Sequence, residues 1–262
     1  MSLLSSNLRN HFKNQKAIKI IAGINNTSIS QISKIAQAAE LANASYIDIA
    51  ANVKIVKFIK SFSCLPVCIS SIEPVDIYNC VIAGADIIEV GNYDFFYSKG
   101  IYISSNDIIK LVKEIKSLVC NIPICVTVPY YLNLDEQVFL AKNLEFIGVD
   151  LLQTEGVYYS NYSKSLSCIN DLHLCFSNSL SASLLSTYVI SQNVKLPIIT
   201  ASGVTDIFTS CTSSYGASGV GIGSAVNKKK SLAEMTKYIN QIRHTLMNKH
   251  KNISVYLPNN NI

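Results

Sequence analysis

The chain has no tryptophan, only four histidines, and no C-x-x-C pair among its eight cysteines. Zinc sites built from Cys and His need ligands at short spacing, yet His11, His244 and His250 stand in the terminal segments and only His173 is central. No metal site is expected. Cys68 (in PVCISSI), Cys125 (in PICVTVP) and Cys175 (in LHLCF) lie in apolar strand-like runs. The cysteines therefore read as mostly buried thiols in a reducing compartment rather than a disulfide framework.

Long hydrophobic runs are missing too. Although 49% of residues are hydrophobic and mean hydropathy is +0.28, no run approaches the roughly 18 residues that a bilayer span requires. Charge is scarce: 15% of residues carry it, and the net +5 is spread out, with no RNP, zinc-finger or arginine-rich stretch. Neither a membrane nor a nucleic-acid partner is expected. Acidic residues are absent before Glu40, a composition like that of a transit peptide. Residues 17–24 (AIKIIAGI) already read as a core strand, however, so the start is expected to be retained as an extension over residues 1–16, with a short helix at 7–14. A secretory signal is not expected.

From there on, apolar β-type runs alternate with helical periodicity, the pattern of parallel βα units. Strands are expected at 17–24, 46–51, 66–72, 86–91, 123–129, 150–156, 197–204 and 219–226. Helices are expected at 29–41, 53–62, 75–82, 106–119, 134–144, 179–192, 205–213 and 229–248. Eight such repeats within 262 residues fit the α/β class and a single (β/α)8 TIM barrel, for which roughly 250 residues is typical. An open doubly wound sheet is the alternative, but no G-x-G-x-x-G follows the first strand. The barrel domain is expected over 17–248, its floor covered by the first helix, with a polar, loosely packed tail at 249–262.

Chemistry in such a barrel collects where strands end and βα loops begin. The last two strands, PIITASGV and GVGIGSAV, end in small residues that let backbone N–H groups approach an anion. Ser202, Gly203, Gly223 and Ser224 are the candidate phosphate-binding residues, against a plain reading as strand-end turns. Polar residues inside apolar strands are costly to bury unless paired or used, which singles out Lys19, Asp48, Glu89, Gln153 and Glu155. Glu89 and Glu155 are candidate general base and acid, or partners of Lys19 in a structural ion pair. Lys19 is a candidate imine-forming amine if desolvation lowers its pKa, or a charge partner. Asp48 and Gln153 are further pocket candidates.

Two connections, 92–105 and 157–178, are longer than barrel loops usually are. They carry Tyr93, Phe95, Phe96, Tyr97, Tyr158, Tyr159 and Tyr162, which with Tyr130 and Tyr131 form either a lid over a ligand or simple packing over the barrel top. Lys228 to Lys230 are expected where the last helix begins, against its dipole.

The segments AIKIIAGINN, YIDIAA, IEVGNYDFFY, LLQTEG, ASGV and GVGIGSAV together resemble the hypothetical chloroplast reading frame twenty-three family of algal plastid genomes and cyanobacteria, over nearly the whole of residues 17–248. The resemblance implies a barrel fold, a stromal location in the chloroplast and no assigned biochemical function. The last quarter is also similar to the phosphate-binding barrels that include thiamine phosphate synthase and indole-glycerol phosphate synthase. That likeness matches Ser202, Gly203, Gly223 and Ser224 to the phosphate loops, although Ala-Ser-Gly-Val stands where many of those proteins carry adjacent glycines. Three functions follow as alternatives: an enzyme acting on a small phosphorylated molecule by lyase, isomerase or synthase chemistry, an FMN-dependent oxidoreductase, or a non-catalytic sensor of a phosphometabolite.

Overall fold

Alternate residues of the first seven expected strands fall into two separate hydrophobic clusters, and that division dictates the architecture. Ile18, Ile20, Ile47, Ile49, Val67, Ile69, Ile88 and Val126 pack outward against helices. Ala17, Tyr46, Cys68, Ile87, Cys125, Leu151 and Ile199 pack against one another inside. Strands apolar on both faces must be covered on both, which is the condition of a parallel sheet wrapped in helices. A computed structural model, which describes residues 3–91, 93–156 and 179–247, shows that barrel.

Strands β1 (Ala17–Ile21), β2 (Tyr46–Ala50), β3 (Val67–Ser71), β4 (Ile87–Val90), β5 (Ile124–Val128), β6 (Leu151–Thr154), β7 (Ile198–Thr200) and β8 (Gly219–Ile222) pair in sequence order, and β8 closes on β1. Every pairing is parallel. Helix α1 (Ser6–Lys13) precedes β1; α2 (Ile29–Leu41), α3 (Val53–Lys60) and α4 (Pro74–Ile82) follow β1, β2 and β3. After β4 come α5 (Asp94–Tyr97) and α6 (Ser105–Leu118); α7 (Leu134–Phe146) follows β5 and α8 (Ser179–Ser191) follows β6. The chain ends through α9 (Thr209–Thr212), α10 (Ser224–Asn227) and α11 (Leu232–Met247).

Helix α1 starts on Ser5, whose hydroxyl accepts from the Leu8 N–H, and its residues Leu8 and Phe12 lie one turn apart on one face. Both are buried in the interior cluster with Ala17 and Tyr46, at the floor of the barrel. Helix α7 opens with a reciprocal cap in which Asn133 accepts from Glu136 N–H and Glu136 accepts from Asn133 N–H.

Three local expectations are corrected. The 92–105 connection is not all loop, because 94–97 turn as α5. The helix expected at 205–213 shrinks to α9, continued by a 3-10 turn at Ser213–Tyr215. Lys228 to Lys230 do not begin the last helix: Lys228 caps the C-terminus of α10, where a cation suits the dipole. Helix α11 begins beyond them, with Ser231 Oγ accepting from Glu234 N–H at 3.2 Å. Asn92, His173, Cys175, Tyr158, Tyr159, Tyr162 and the tail at 249–262 lie outside the described residues. Among the described residues, no helix is long and apolar enough to cross a membrane.

A buried chain of hydroxyls fixes α8 to the sheet: Thr154 meets Ser183 at 3.0 Å and Thr187 at 2.8 Å, and Thr187 meets Thr200 at 2.7 Å. This sets the start of α8 against the turn after β7, where a Cβ on Gly203 would lie 3.2 Å from Leu180 N. Packing outside the barrel thus holds a turn that faces the top of the barrel.

Candidate active site

Period-two alternation places polar side chains inside the barrel above its apolar floor: Lys19 on β1, Asp48 on β2, Ser70 on β3, Glu89 on β4, Thr127 on β5 and Gln153 on β6. All six are at most 7% exposed. Burying charge at this depth is tolerable only with paired geometry and satisfied hydrogen bonds, and both are present. The Lys19 ammonium donates to Glu89 Oε2, to Gln153 Oε1 at 2.8 Å and pairs with Asp48 Oδ2 at 3.0 Å. Glu89 Oε1 accepts from Thr127 Oγ1 (2.9 Å) and Gln153 Nε2 (2.8 Å). Asp48 Oδ1 accepts from Ser70 Oγ at 2.6 Å.

Desolvation alone would pull Lys19 toward neutrality, but the Asp48 and Glu89 carboxylates outweigh it and hold its pKa well above the ordinary lysine value. Burial pushes Asp48 up to about 6, with Glu89 adding to the rise and Lys19 opposing it. Folded Asp48 therefore binds its proton more tightly than the unfolded chain does. Its contribution to stability is complete below the unfolded value near 3.8 and is lost as pH rises through about 6. We expect the unfolding free energy of the wild type, measured against Asp48→Asn in urea titrations, to fall by on the order of 2–3 kcal/mol between about pH 4 and pH 6. A difference that stays flat or rises over that window would remove Asp48 as the titrating group.

Asp48, Cys68 and Glu89 bring candidate ligand atoms within 4.8 Å of one another. The Lys19 ammonium lies against both carboxylates.

Above this network Glu155, at the end of β6, accepts on Oε1 from the Tyr97 hydroxyl and from Tyr130 N–H at 3.1 Å. Tyr97 comes from α5 and packs among Tyr102, Tyr130 and Tyr131, with ring centroids 6.0, 5.2 and 5.5 Å away. Burial, then the Glu155 charge, raises its phenol pKa far above the ordinary tyrosine value. Burial likewise pushes Tyr131 up to about 12. Tyr93 and Tyr97 are buried, so these two pack over the barrel top.

A cavity of about 420 Å³ opens at this end of the barrel, lined on one side by Asp48, Glu89, Thr127, Gln153 and Glu155 and on the other by Ser202, Gly203, Gly223 and Ser224. Every candidate residue of the sequence reading reaches it except Lys19, which is fully buried beneath. A larger hollow of about 600 Å³ lies at the floor beside α1, lined by Arg9, Lys13 and Lys195 among others, and holds none of these groups.

The turn after β7 carries two successive left-handed residues, Ser202 (φ +70°) and Gly203 (φ +72°). Gln15, Asn43 and Asn121, the other described non-glycine residues with positive φ, follow helix ends. Ser202 follows a strand, and such a conformation costs on the order of 1–3 kcal/mol, a strain that concentrates at ligand sites. Among the described residues, the N–H groups of Gly203, Val204, Ser224 and Ala225 donate to no protein acceptor. Not every glycine of GVGIGSAV serves this rim. A Cβ at Gly219 would lie 2.5 Å from Ala17 Cβ, and one at Gly221 would lie 3.0 Å from Ala201 Cβ, so these two permit strand packing. Sequence reasoning missed Thr127, although it is a lone polar residue in ICVTV and obeys the rule that found Gln153. It also gave Tyr97 no partner.

Among solved structures, thiamine phosphate pyrophosphorylase from Pyrococcus furiosus superposes with a TM-score of 0.59 at 16% identity, covering 91% of this chain and 99% of that one. (S)-3-O-geranylgeranylglyceryl phosphate synthase from Thermoplasma acidophilum, in complex with sn-glycerol-1-phosphate, gives 0.60 at 12% identity, covering 93% and 99%. At these identities the likeness is one of fold. Sequence relatedness is closer: the uncharacterized protein ycf23 of Antithamnion sp. is 47% identical over 246 residues, 92% of this chain and 88% of that protein. Because the profile of the protein family of unknown function DUF561 also matches residues 4–252, the chain belongs to that family, among the Ycf23 proteins.

Proposed function

We propose that the protein is an enzyme acting on a small phosphorylated metabolite, with lyase, isomerase or synthase chemistry. One observation carries this reading: a single cavity has two turns with undonated N–H groups on one side and acid–base side chains on the other. The turns at Ser202, Gly203, Gly223 and Ser224 hold the phosphate through the undonated amides of Gly203, Val204, Ser224 and Ala225, as oxyanions are held at other strand-to-helix turns. Glu155 is the acid–base group, its carboxylate oriented by Tyr97 and Tyr130 N–H. Glu89, whose two oxygens already accept from Lys19, Thr127 and Gln153, is a positioning residue. Lys19, held protonated by two carboxylates, acts as a fixed cation and not as an imine-forming amine. Asp48 and Gln153 contact the substrate from the cavity wall. That several fold neighbours are named for phosphorylated compounds supports the reading by analogy alone. Membership of the Ycf23 family supports a plastid location, and the stroma is the compartment we propose.

The test is a thermal-shift screen against phosphorylated metabolites, since a ligand that prefers the folded state raises the melting temperature, followed by phosphorus and proton NMR of each stabilising compound. Wild type is expected to consume such a compound, while Glu155→Gln binds it and turns it over at least 100-fold more slowly. A compound that stabilises the protein and stays unchanged for hours would support a sensor instead of an enzyme.

A further inference from the structure

The hollow of about 600 Å³ at the floor of the barrel is lined by three cations from two parts of the chain: Arg9 and Lys13 on α1, and Lys195 between α8 and β7. Arg9 and Lys13 stand one turn apart on a single helical face, a like-charged pair that weakens a helix unless something answers it. Nothing in α1 does, since the chain has no acidic residue before Glu40. Among the described residues, none of the three side chains forms an ion pair or a hydrogen bond. The one carboxylate in the hollow, Asp150, is already in use: its oxygens accept from Leu3 N–H at 3.0 Å and from Ile124 N–H at 3.2 Å. Glu145 accepts from the main-chain N–H of Lys195 at 2.7 Å and leaves the ammonium alone. Ser218 adds to the lining a half-buried hydroxyl without a partner among the described residues.

We infer that this hollow is a second binding site, independent of the phosphate site proposed above, for a small molecule carrying two linked phosphate groups. Three cations against one carboxylate leave positive charge that a monoanion does not balance. The cations come from opposite walls, so one phosphate meets the α1 pair and the other meets Lys195. Arg9 offers a planar fork of donors and the two lysines offer point charges, both suited to phosphate oxygens. The volume is that of a metabolite pocket, and Leu196 and Pro197 give an apolar wall for any organic part. A ligand held this way ties α1 to the segment that leads into β7. Helix α1 also carries Phe12, whose ring lies 6.3 Å from that of Tyr46 on β2, so occupancy of the hollow fastens α1 against the barrel interior.

The experiment is calorimetric titration of the full chain with pyrophosphate and with inorganic phosphate at low ionic strength. It is run in a Gly223→Asp background, so that the amides of the upper cavity do not contribute. Pyrophosphate is expected to bind this protein roughly tenfold more tightly than inorganic phosphate does, because it engages both walls. Adding Lys13→Gln and Lys195→Gln, two exposed positions, is expected to weaken pyrophosphate by roughly 30-fold. Adding Lys54→Gln and Lys57→Gln instead removes the same charge from exposed positions on α3, and is expected to change the affinity less than about twofold. Hydrogen exchange supplies a second readout: pyrophosphate should slow the amides of residues 8–13 in wild type and leave them unchanged in Lys13→Gln/Lys195→Gln. If pyrophosphate does not bind, or binds Lys13→Gln/Lys195→Gln as tightly as its parent, the floor site is wrong whatever becomes of the upper one. An equal loss in the α3 variant would make the effect one of net charge and overturn the site, as would exchange in α1 that ignores the ligand.

Discussion

Replacing Lys19 by methionine is expected to cost the protein about 3–5 kcal/mol at neutral pH, the usual penalty for removing one partner of a buried ion pair. Methionine keeps much of the length and apolar stem, so the loss is one of charge. Asp48 and Glu89 are then left 3% and 2% exposed with no counterion. Against a typical net stability of about 5–15 kcal/mol, the change is large enough to move the urea midpoint far outside experimental scatter. The pH dependence gives the loss a signature. Burial already raises Asp48, and removing Lys19 removes the charge that opposes the rise, so the stability Asp48 allows is present in acid and disappears as pH rises through its raised value. The gap between wild type and Lys19→Met should accordingly be small near pH 4 and widen toward pH 7. The triple variant Lys19→Met/Asp48→Asn/Glu89→Gln should recover a substantial part of the loss at pH 7, because neutral amides need no counterion. An unchanged midpoint for Lys19→Met at pH 7 would mean that the three charges are not a coupled unit.

The same residues explain how far the sequence was readable. Alternation in AIKII, YIDIA and ICVTV is a local property, and a parallel barrel is its only economical consequence when about eight such units follow one another. The polar exceptions in those strands stood out because an apolar strand has no use for Lys19 or Gln153 unless something answers them. Which groups answer is a matter of register. Ser70 lies opposite Glu89 and Thr127 opposite Gln153, and those pairings depend on the stagger of the closed sheet, which no single strand encodes. Tyr97 was legible as an aromatic loop residue and illegible as a donor to Glu155, since the two are 58 residues apart and meet only through the turn of α5. The lysines after Asn227 misled because helix α10 is four residues long, too short to leave a periodic trace. Among the glycines near the C-terminus, sequence separates Gly221 from Gly223 poorly. Both stand in small-residue runs, and only the contact with Ala201 shows that the first belongs to strand packing.

Gly223 gives the sharpest test of ligand binding, and Gly223→Asp is expected to weaken the affinity for inorganic phosphate by at least 100-fold, about 2.8 kcal/mol. Two effects combine. A Cβ at this position meets Ile21 Cβ and the Ile21 carbonyl oxygen at 3.4 Å, ordinary van der Waals contact, so the side chain fits without breaking the strand and its bulk takes space beside the cavity. The carboxylate then projects beside the amides of Ser224 and Ala225, where it competes for the same donors and repels the ligand. At a separation of about 5 Å and an effective dielectric near 20, a carboxylate opposes each unit of phosphate charge by roughly 3 kcal/mol. Gly223→Asn separates the two effects because it has the same shape without the charge. If the site is electrostatic, Asn loses far less affinity than Asp, and raising the salt concentration narrows the gap between them. Circular dichroism and the unfolding midpoint should show both variants folded, since Gly223 lies beyond the last paired residue of β8. Equal affinity in wild type and Gly223→Asp, with the fold intact, would mean that phosphate binds elsewhere or not at all, and the cavity between Gly203 and Gly223 would lose its assigned ligand.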